Sequence, residues 1–197
     1  TANTTGAANV AVGQHALASN TTASDNTAVG AHSLDTNTTG ASNTGVGSNT
    51  LWQNTTGTEN VAVGANAGDA STTASYNTLI GSIAGSALTT GGENVAVGRA
   101  ALFAGTTGTQ NVAVGKGALL FGTTGSCNVG VGYEALRNLG ADANQNVAMG
   151  YQALKSNTTA VNNTSVGSQA LLNNTTGASN TALGKNALAT NTTGYWN

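Results

Sequence analysis

Charge, aromatic rings, proline and cysteine are all scarce in this sequence, and each scarcity removes a class of protein. Only 6% of its 197 residues are charged, 4% are aromatic, and proline is absent. Leu, Ile, Phe and Met are few, and most of the 39% hydrophobic fraction is Ala and Val, which excludes a conventional compact domain. A single cysteine, Cys127, excludes an intrachain disulfide framework. No apolar run approaches membrane-spanning length, so no membrane insertion is expected. No charged-then-apolar leader opens the chain, which reads as mature or as an internal piece. The net charge of −2 comes without a basic stripe, so nucleic acid is not an expected partner.

What remains is Ala, Thr, Asn and 28 Gly, a composition that suits either a disordered chain or a repeat with a thin interior. Self-similarity decides between them. From Asn9, steps of 17 land on Asn26, Asn43, Asn60, Asn77, Asn94, Asn111 and Asn128; one step of 18 reaches Asn146, and steps of 17 then give Asn163, Asn180 and Asn197. Numbered from that Asn, position 1 is always Asn and position 5 always Gly, as in Gly30, Gly47, Gly64 and Gly115. Position 2 is Val or Thr, position 4 is always apolar, and position 9 is Leu except at Gly68 and Gly85. Every Asp, Glu, Lys and Arg falls at positions 6, 7, 10, 15 or 17. A disordered linker has no reason to keep that partition.

The pattern predicts an all-β fold, a parallel β-solenoid with 17-residue coils. Val or Thr at 2 and an apolar residue at 4 read as a strand whose β-branched side chains face the core. Gly at 5 marks a corner, Leu at 9 a second inward anchor, and Asn-Thr-Thr-Gly a closing turn. Residues 1–197 then form one rod of eleven full repeats with partial repeats at both ends, residues 128–145 carrying one extra residue. Equal positions stack about 4.8 Å apart, for a length of roughly 55 Å. The position 1 column, including Asn26, Asn43, Asn60 and Asn111, is expected to chain amide to amide. Leu79, Ile83 and Leu88 are expected to refill the space that Gly68 and Gly85 vacate. The extra residue is expected to bulge at the turn, leaving Val131 and Met149 in one inward column.

Repeats such as NTAVGAHSLDTNTTGAS and NVAMGYQALKSNTTAVN resemble tandem runs in phage tail-fibre and bacterial surface-fibre proteins. More distantly they are similar to the head repeats of trimeric autotransporter adhesins, which carry an Asn-Ser-Val-Ala-Ile-Gly strand in a shorter coil. The resemblance implies a left-handed β-roll, a homotrimer, and an extracellular place on a cell surface or virion. Within these 197 residues no membrane anchor, coiled-coil stalk or terminal chaperone domain is expected.

No catalytic, cofactor-binding or metal-binding constellation emerges. The Gly130–Ala135 stretch mimics a dinucleotide loop but is only positions 3 to 8 of one repeat. His15 and His32 share position 7 one coil apart and read as two polar surface residues. Asn-Thr-Thr recurs as a glycosylation sequon at Asn3, Asn20, Asn37, Asn54, Asn157, Asn174 and Asn191, where turn chemistry explains the same residues. Aromatic and large apolar residues at variable positions are the candidate contacts: Trp52, Phe103, Leu120, Phe121, Tyr133, Tyr151 and Tyr195. Tyr133 should stack over Tyr151. The sequence therefore predicts a non-catalytic structural or adhesive fibre segment whose partner is itself, as a homotrimer or an end-to-end filament, with a host-surface receptor or glycan as a further partner. The alternative is a ligand- or ice-binding solenoid. Both ends leave an open coil, which neighbouring domains or subunits are expected to cap.

Overall fold

The computed structural model describes residues 2–197. Its strands run from β1 (Val10–Val12) and β2 (Thr27–Val29) through β7 (Val112–Val114), β8 (Val129–Val131) and β9 (Val147–Met149) to β11 (Thr181–Leu183). All eleven pair in parallel and in chain order within one sheet, and the described residues contain no helix. Each strand is only three residues long, positions 2 to 4 of its repeat. The rest of each coil is turn and loop, yet it too bonds to its neighbours. Val112 N–H donates to Asn128 O of the following coil at 2.8 Å, and Gly115 N–H to Val97 O of the preceding one at 2.8 Å. On the turn side Leu119 N–H donates to Ala135 O at 3.0 Å and Phe121 N–H to Arg137 O at 2.9 Å.

That turn-side ladder depends on an unusual backbone. Position 9 is left-handed in coil after coil, with φ of 50° at Leu34, 49° at Leu119 and 52° at Leu154. Position 7 does the same at His15, Glu134 and Gln152, and position 17 at Asp25, Glu59 and Glu93. Side chains in this region cost about 1–2 kcal/mol each, offset here because the alternation turns successive N–H groups along the rod axis. Tight bonds inside the coil hold the same segment, Ala118 N–H to Gly115 O at 3.2 Å and Gly122 N–H to Leu119 O at 3.2 Å. Position 5 is stricter. Gly64 has φ +124°, and a Cβ there would sit 2.7 Å from the Gly81 carbonyl carbon of the next coil.

The core corrects the expected strand phase. Columns 2 and 4 face outward, and Val46, Ile80 and Met149 are exposed. Position 3 faces inward instead, with Ala28, Ala62, Ala96, Ala113 and Ala148 fully buried. The reason is volume. The Leu of position 9 crosses the thin coil and packs against the strand from inside, so that a Cβ on Gly130 would collide with Leu119 Cδ1; position 8 crowds the same column, and a Cβ on Gly45 would lie 2.5 Å from Ser33 Oγ. A Val side chain has no room there. The interior is therefore built from columns 1, 3, 8, 9, 12 and 15, mostly Asn, Ala and Leu.

Where position 9 shrinks, position 3 grows. Leu79 is the one Leu in column 3, and a Cβ on Gly68 or Gly85 would meet its methyls at 2.7 and 2.8 Å. Leu79 and Leu88 are fully buried, as expected, but Ile83 is only half-buried in column 7 and refills nothing. Gly68 and Gly85, at φ +60° and +57°, also suit the left-handed position better than Leu does.

The extra residue of repeat 128–145 is absorbed at the turn. Val131 pairs with Met149 in register, and Asn146 N–H reaches Asn128 Oδ1 at 3.0 Å across the insertion. Leu139 and Ala143 remain buried, so Gly140, Ala141 and Asp142 stand where other coils have Thr-Thr. Met149 shares the column of Val131, but that column faces solvent.

Candidate functional site

The position 1 Asn column is the spine of the rod. Each Asn backbone N–H donates to the side-chain oxygen of the preceding Asn, without a gap from Asn26 onto Asn9 to Asn197 onto Asn180. Asn94 is typical: its N–H and Nδ2 both donate to Asn77 Oδ1, at 3.0 and 3.1 Å, and Nδ2 also donates to Gly108 O at 3.0 Å. Asn26, Asn43, Asn60 and Asn111 are all buried members of this spine. The left-handed glycines Gly30, Gly47, Gly64 and Gly115 stack beside it.

A second Asn column, position 12, also points inward. Asn20, Asn37 and Asn54 are buried and linked, Asn37 Nδ2 donating to Asn20 Oδ1 at 3.1 Å and Asn54 Nδ2 to Asn37 Oδ1 at 2.8 Å. Asn157 and Asn174 are buried too. The folded chain thus withdraws these five sequons from a glycosylating enzyme, whereas Asn3 is exposed and Asn191 half-buried. The Thr after the Asn bonds the next coil, as Thr55 Oγ1 to Thr72 O at 3.0 Å, and in the central coils it is half-buried while the second Thr is exposed.

Besides the exposed side chains of columns 14 and 17, the rod has two surfaces of distinct character. One is the outer face of the β1–β11 sheet, formed by columns 2 and 4. Column 2 alternates Val with Thr27, Thr44, Thr78, Thr164 and Thr181, column 4 is apolar throughout, and neither contains a charge. The other is the turn edge, columns 6, 7, 10 and 11, where all the predicted contact residues but Tyr195, in column 16, lie. Five of them gather in neighbouring coils: Phe103 and Leu120, half-buried, and Phe121, Tyr133 and Tyr151, exposed. Tyr133 stacks on Tyr151 at 5.5 Å with ring planes 9° apart. Trp52 stands alone in column 10 between Asp35 and Asp69, and Tyr195 lies in the last coil, so neither joins the cluster.

Charge concentrates on the same stretch of edge, which composition alone does not reveal. Four of the five cations, Arg99, Lys116, Arg137 and Lys155, fall between residues 99 and 155. Glu134 binds two of them, Lys155 Nζ at 3.1 Å and Arg137 Nε at 3.3 Å, and accepts from Gln152 Nε2 at 2.9 Å. The Arg137 contact is an ion pair without hydrogen-bond alignment, and its guanidinium lies 5.0 Å from the Phe121 ring centroid. Desolvation pushes the Glu134 carboxyl upward, but the Gln152 and Lys155 hydrogen bonds and the two cations outweigh it, holding its pKa below the ordinary glutamate value. His15 and His32 stack at 4.9 Å, and His32 Nδ1 meets Asp35 Oδ2 at 2.8 Å. Among the described residues no three His, Cys, Asp or Glu converge as metal ligands, and no helix is long and apolar enough to cross a membrane.

No family model matches the chain, and neither a curated protein nor a solved structure does.

Proposed function

We propose that this chain is a non-catalytic structural fibre segment that associates with copies of itself, as a homotrimer, through the outer face of its sheet. The observation that supports the reading is the uncharged double column at positions 2 and 4. It runs the length of the rod, spanning about 50 Å by 10 Å at strand and coil spacing. Monomeric proteins rarely leave a contiguous apolar patch of more than a few hundred Å2 in water. Covered by other copies, a face of that size would bury on the order of 500 Å2 per chain, about 1,500 Å2 over three chains, within the range of specific interfaces. The resemblance to surface-fibre repeats favours an extracellular setting, on a cell surface or virion.

Sedimentation equilibrium tests the proposal on the wild type and on a Val63→Lys, Val97→Lys, Val131→Lys variant. Wild type should sediment as a trimer and the variant as a monomer with an unchanged circular dichroism spectrum. A monomeric wild type at tens of micromolar (a concentration where such an area should hold), or a variant that stays trimeric, would refute it.

Ice binding is the second reading, favoured by one observation: columns 2 and 4 form a flat face with two regularly spaced outward columns, including five Thr at position 2. The Val at the other six coils and the lack of Thr in column 4 count against it. Thermal hysteresis in dilute wild-type solution, abolished by Thr44→Lys and Thr78→Lys, would replace the fibre reading.

A further inference from the structure

We infer that the turn edge between Arg99 and Tyr133 is a binding site for an acidic saccharide, which seats its anionic group between Arg99 and Lys116 and a ring face against Tyr133. Arg99, Ala100, Lys116, Gly117, Leu120, Tyr133 and Glu134 line an open notch of about 110 Å3 there. Gly117 makes the notch. It is the only Gly in column 7, and a Cβ added to it would meet nothing closer than Glu134 Cγ at 3.7 Å.

The neighbouring coils indicate what the notch lacks. Arg137 and Lys155 stack in column 10, and both pair with the Glu134 carboxylate. Arg99 and Lys116 stack in the same way in column 6, about 4.8 Å apart along the rod. Column 7 offers them only Ala100 and Gly117, and among the described residues neither cation has a carboxylate partner. Two stacked like charges beside a cavity call for an external anion. Four cations and Glu134 give this edge +3, whereas the whole chain is −2, so the remainder carries −5. Anionic ligands are thereby drawn to one place on the rod and repelled elsewhere.

The walls select a sugar. Leu120 and the exposed ring of Tyr133 offer an apolar surface for a pyranose face, with Tyr151 stacked beyond it. Lys116 Nζ stands 5.7 Å from the Tyr133 centroid, so the cation and the ring reach one ligand together. Glu134, at the far wall, can accept hydrogen bonds from sugar hydroxyls, which a polyphosphate backbone does not supply. The anion itself can be a uronate carboxylate or a sulfate ester.

This inference extends the fibre reading toward adhesion, but the notch lies on the turn edge and does not depend on the sheet face. The test is isothermal titration of the whole chain with hyaluronan hexasaccharide, chondroitin sulfate hexasaccharide, maltohexaose and a thymidine oligonucleotide, with light scattering on the same samples. At least one acidic sugar should bind, and which one identifies carboxylate or sulfate; maltohexaose should not. Arg99→Glu with Lys116→Glu should weaken binding at least tenfold, and Gly117→Gln, which fills the notch with the side chain found at Gln152 and Gln169, severalfold. Lys185→Glu, a charge reversal in the same column outside the site, should leave it intact. No binding of either acidic sugar, equal binding of the oligonucleotide, or equal loss in Lys185→Glu would overturn the inference. Loss of assembly with sugar binding intact would remove the fibre reading alone, and the converse would remove this one alone.

Discussion

The sheet side and the turn edge of the rod are built from the same seventeen positions, yet they obey opposite rules. On the sheet side each coil repeats its neighbour: Val or Thr, a small inward residue, an outward apolar residue, then Gly. On the turn edge column 6 runs through Gln14, Ala31, Arg99, Lys116 and Tyr133, and column 10 through Asp35, Trp52, Phe103 and Arg137. Backbone ladders hold both sides, so the edge does not need particular side chains to stay folded. Uniformity suits a face that meets further copies of itself, and variability suits one that selects a ligand.

The largest break in this comparison should come from reversing the strand's two faces. Ala113→Asp places a charge in the interior and should cost several kcal/mol, whereas Val114→Asp, one residue on, should cost about 1 kcal/mol or less and act on association instead. Thermal melts and sedimentation of the two variants check the pair. Next is the spine. Asn94→Leu strips the partner from Asn111 N–H and from Gly108 O and leaves Asn77 Oδ1 with only the backbone N–H of residue 94, and at about 1–3 kcal/mol per buried orphan the loss should exceed about 2 kcal/mol in urea unfolding. Leu79→Ala should cost about 2–4 kcal/mol by opening a cavity beside Gly68 and Gly85. Gly68→Leu in that background restores the usual Ala-and-Leu pairing and should recover most of it, a coupling that a double-mutant cycle measures.

The smallest effect belongs to the edge. Glu134 has its pKa lowered in the folded state, so its contribution is fully present above the ordinary glutamate pKa. It is lost as pH falls through the lowered folded value. Comparing wild type with Glu134→Gln, the stability difference should shrink across that acid range and stay flat at neutral pH. A difference that grew as pH fell would contradict the ion-pair assignment.

The fold and the columns were legible because a strict period assigns every residue a stacking partner. The Asn spine, the Leu of position 9, Tyr133 over Tyr151 and the turn bulge all follow from counting. The sign of the strand was not legible. Val112-Ala113-Val114 alternates equally well with either face inward; hydrophobicity alone favours Val inside, and only the Leu side chains crossing the coil, as Leu119 does against Gly130, keep the inward column small. The left-handed positions were hidden for a similar reason, since Leu34, Glu59 and His15 are residues that rarely adopt them. The sequon Asn residues looked like exposed turn chemistry because their hydrogen-bonding column is invisible until the coils are stacked. The notch at Gly117 had a trace in the sequence, a single Gly in column 7 beside clustered cations.

The most direct test of the account is the accessibility of the strand itself. In a Cys127→Ser background, Ala96→Cys and Val97→Cys place a thiol on the two faces of one strand. Maleimide labelling at concentrations low enough to keep chains apart should be rapid at Val97→Cys and blocked at Ala96→Cys until the protein unfolds. Fast labelling of Ala96→Cys with protection of Val97→Cys would reverse the faces and remove the basis for the proposed sheet-side interface.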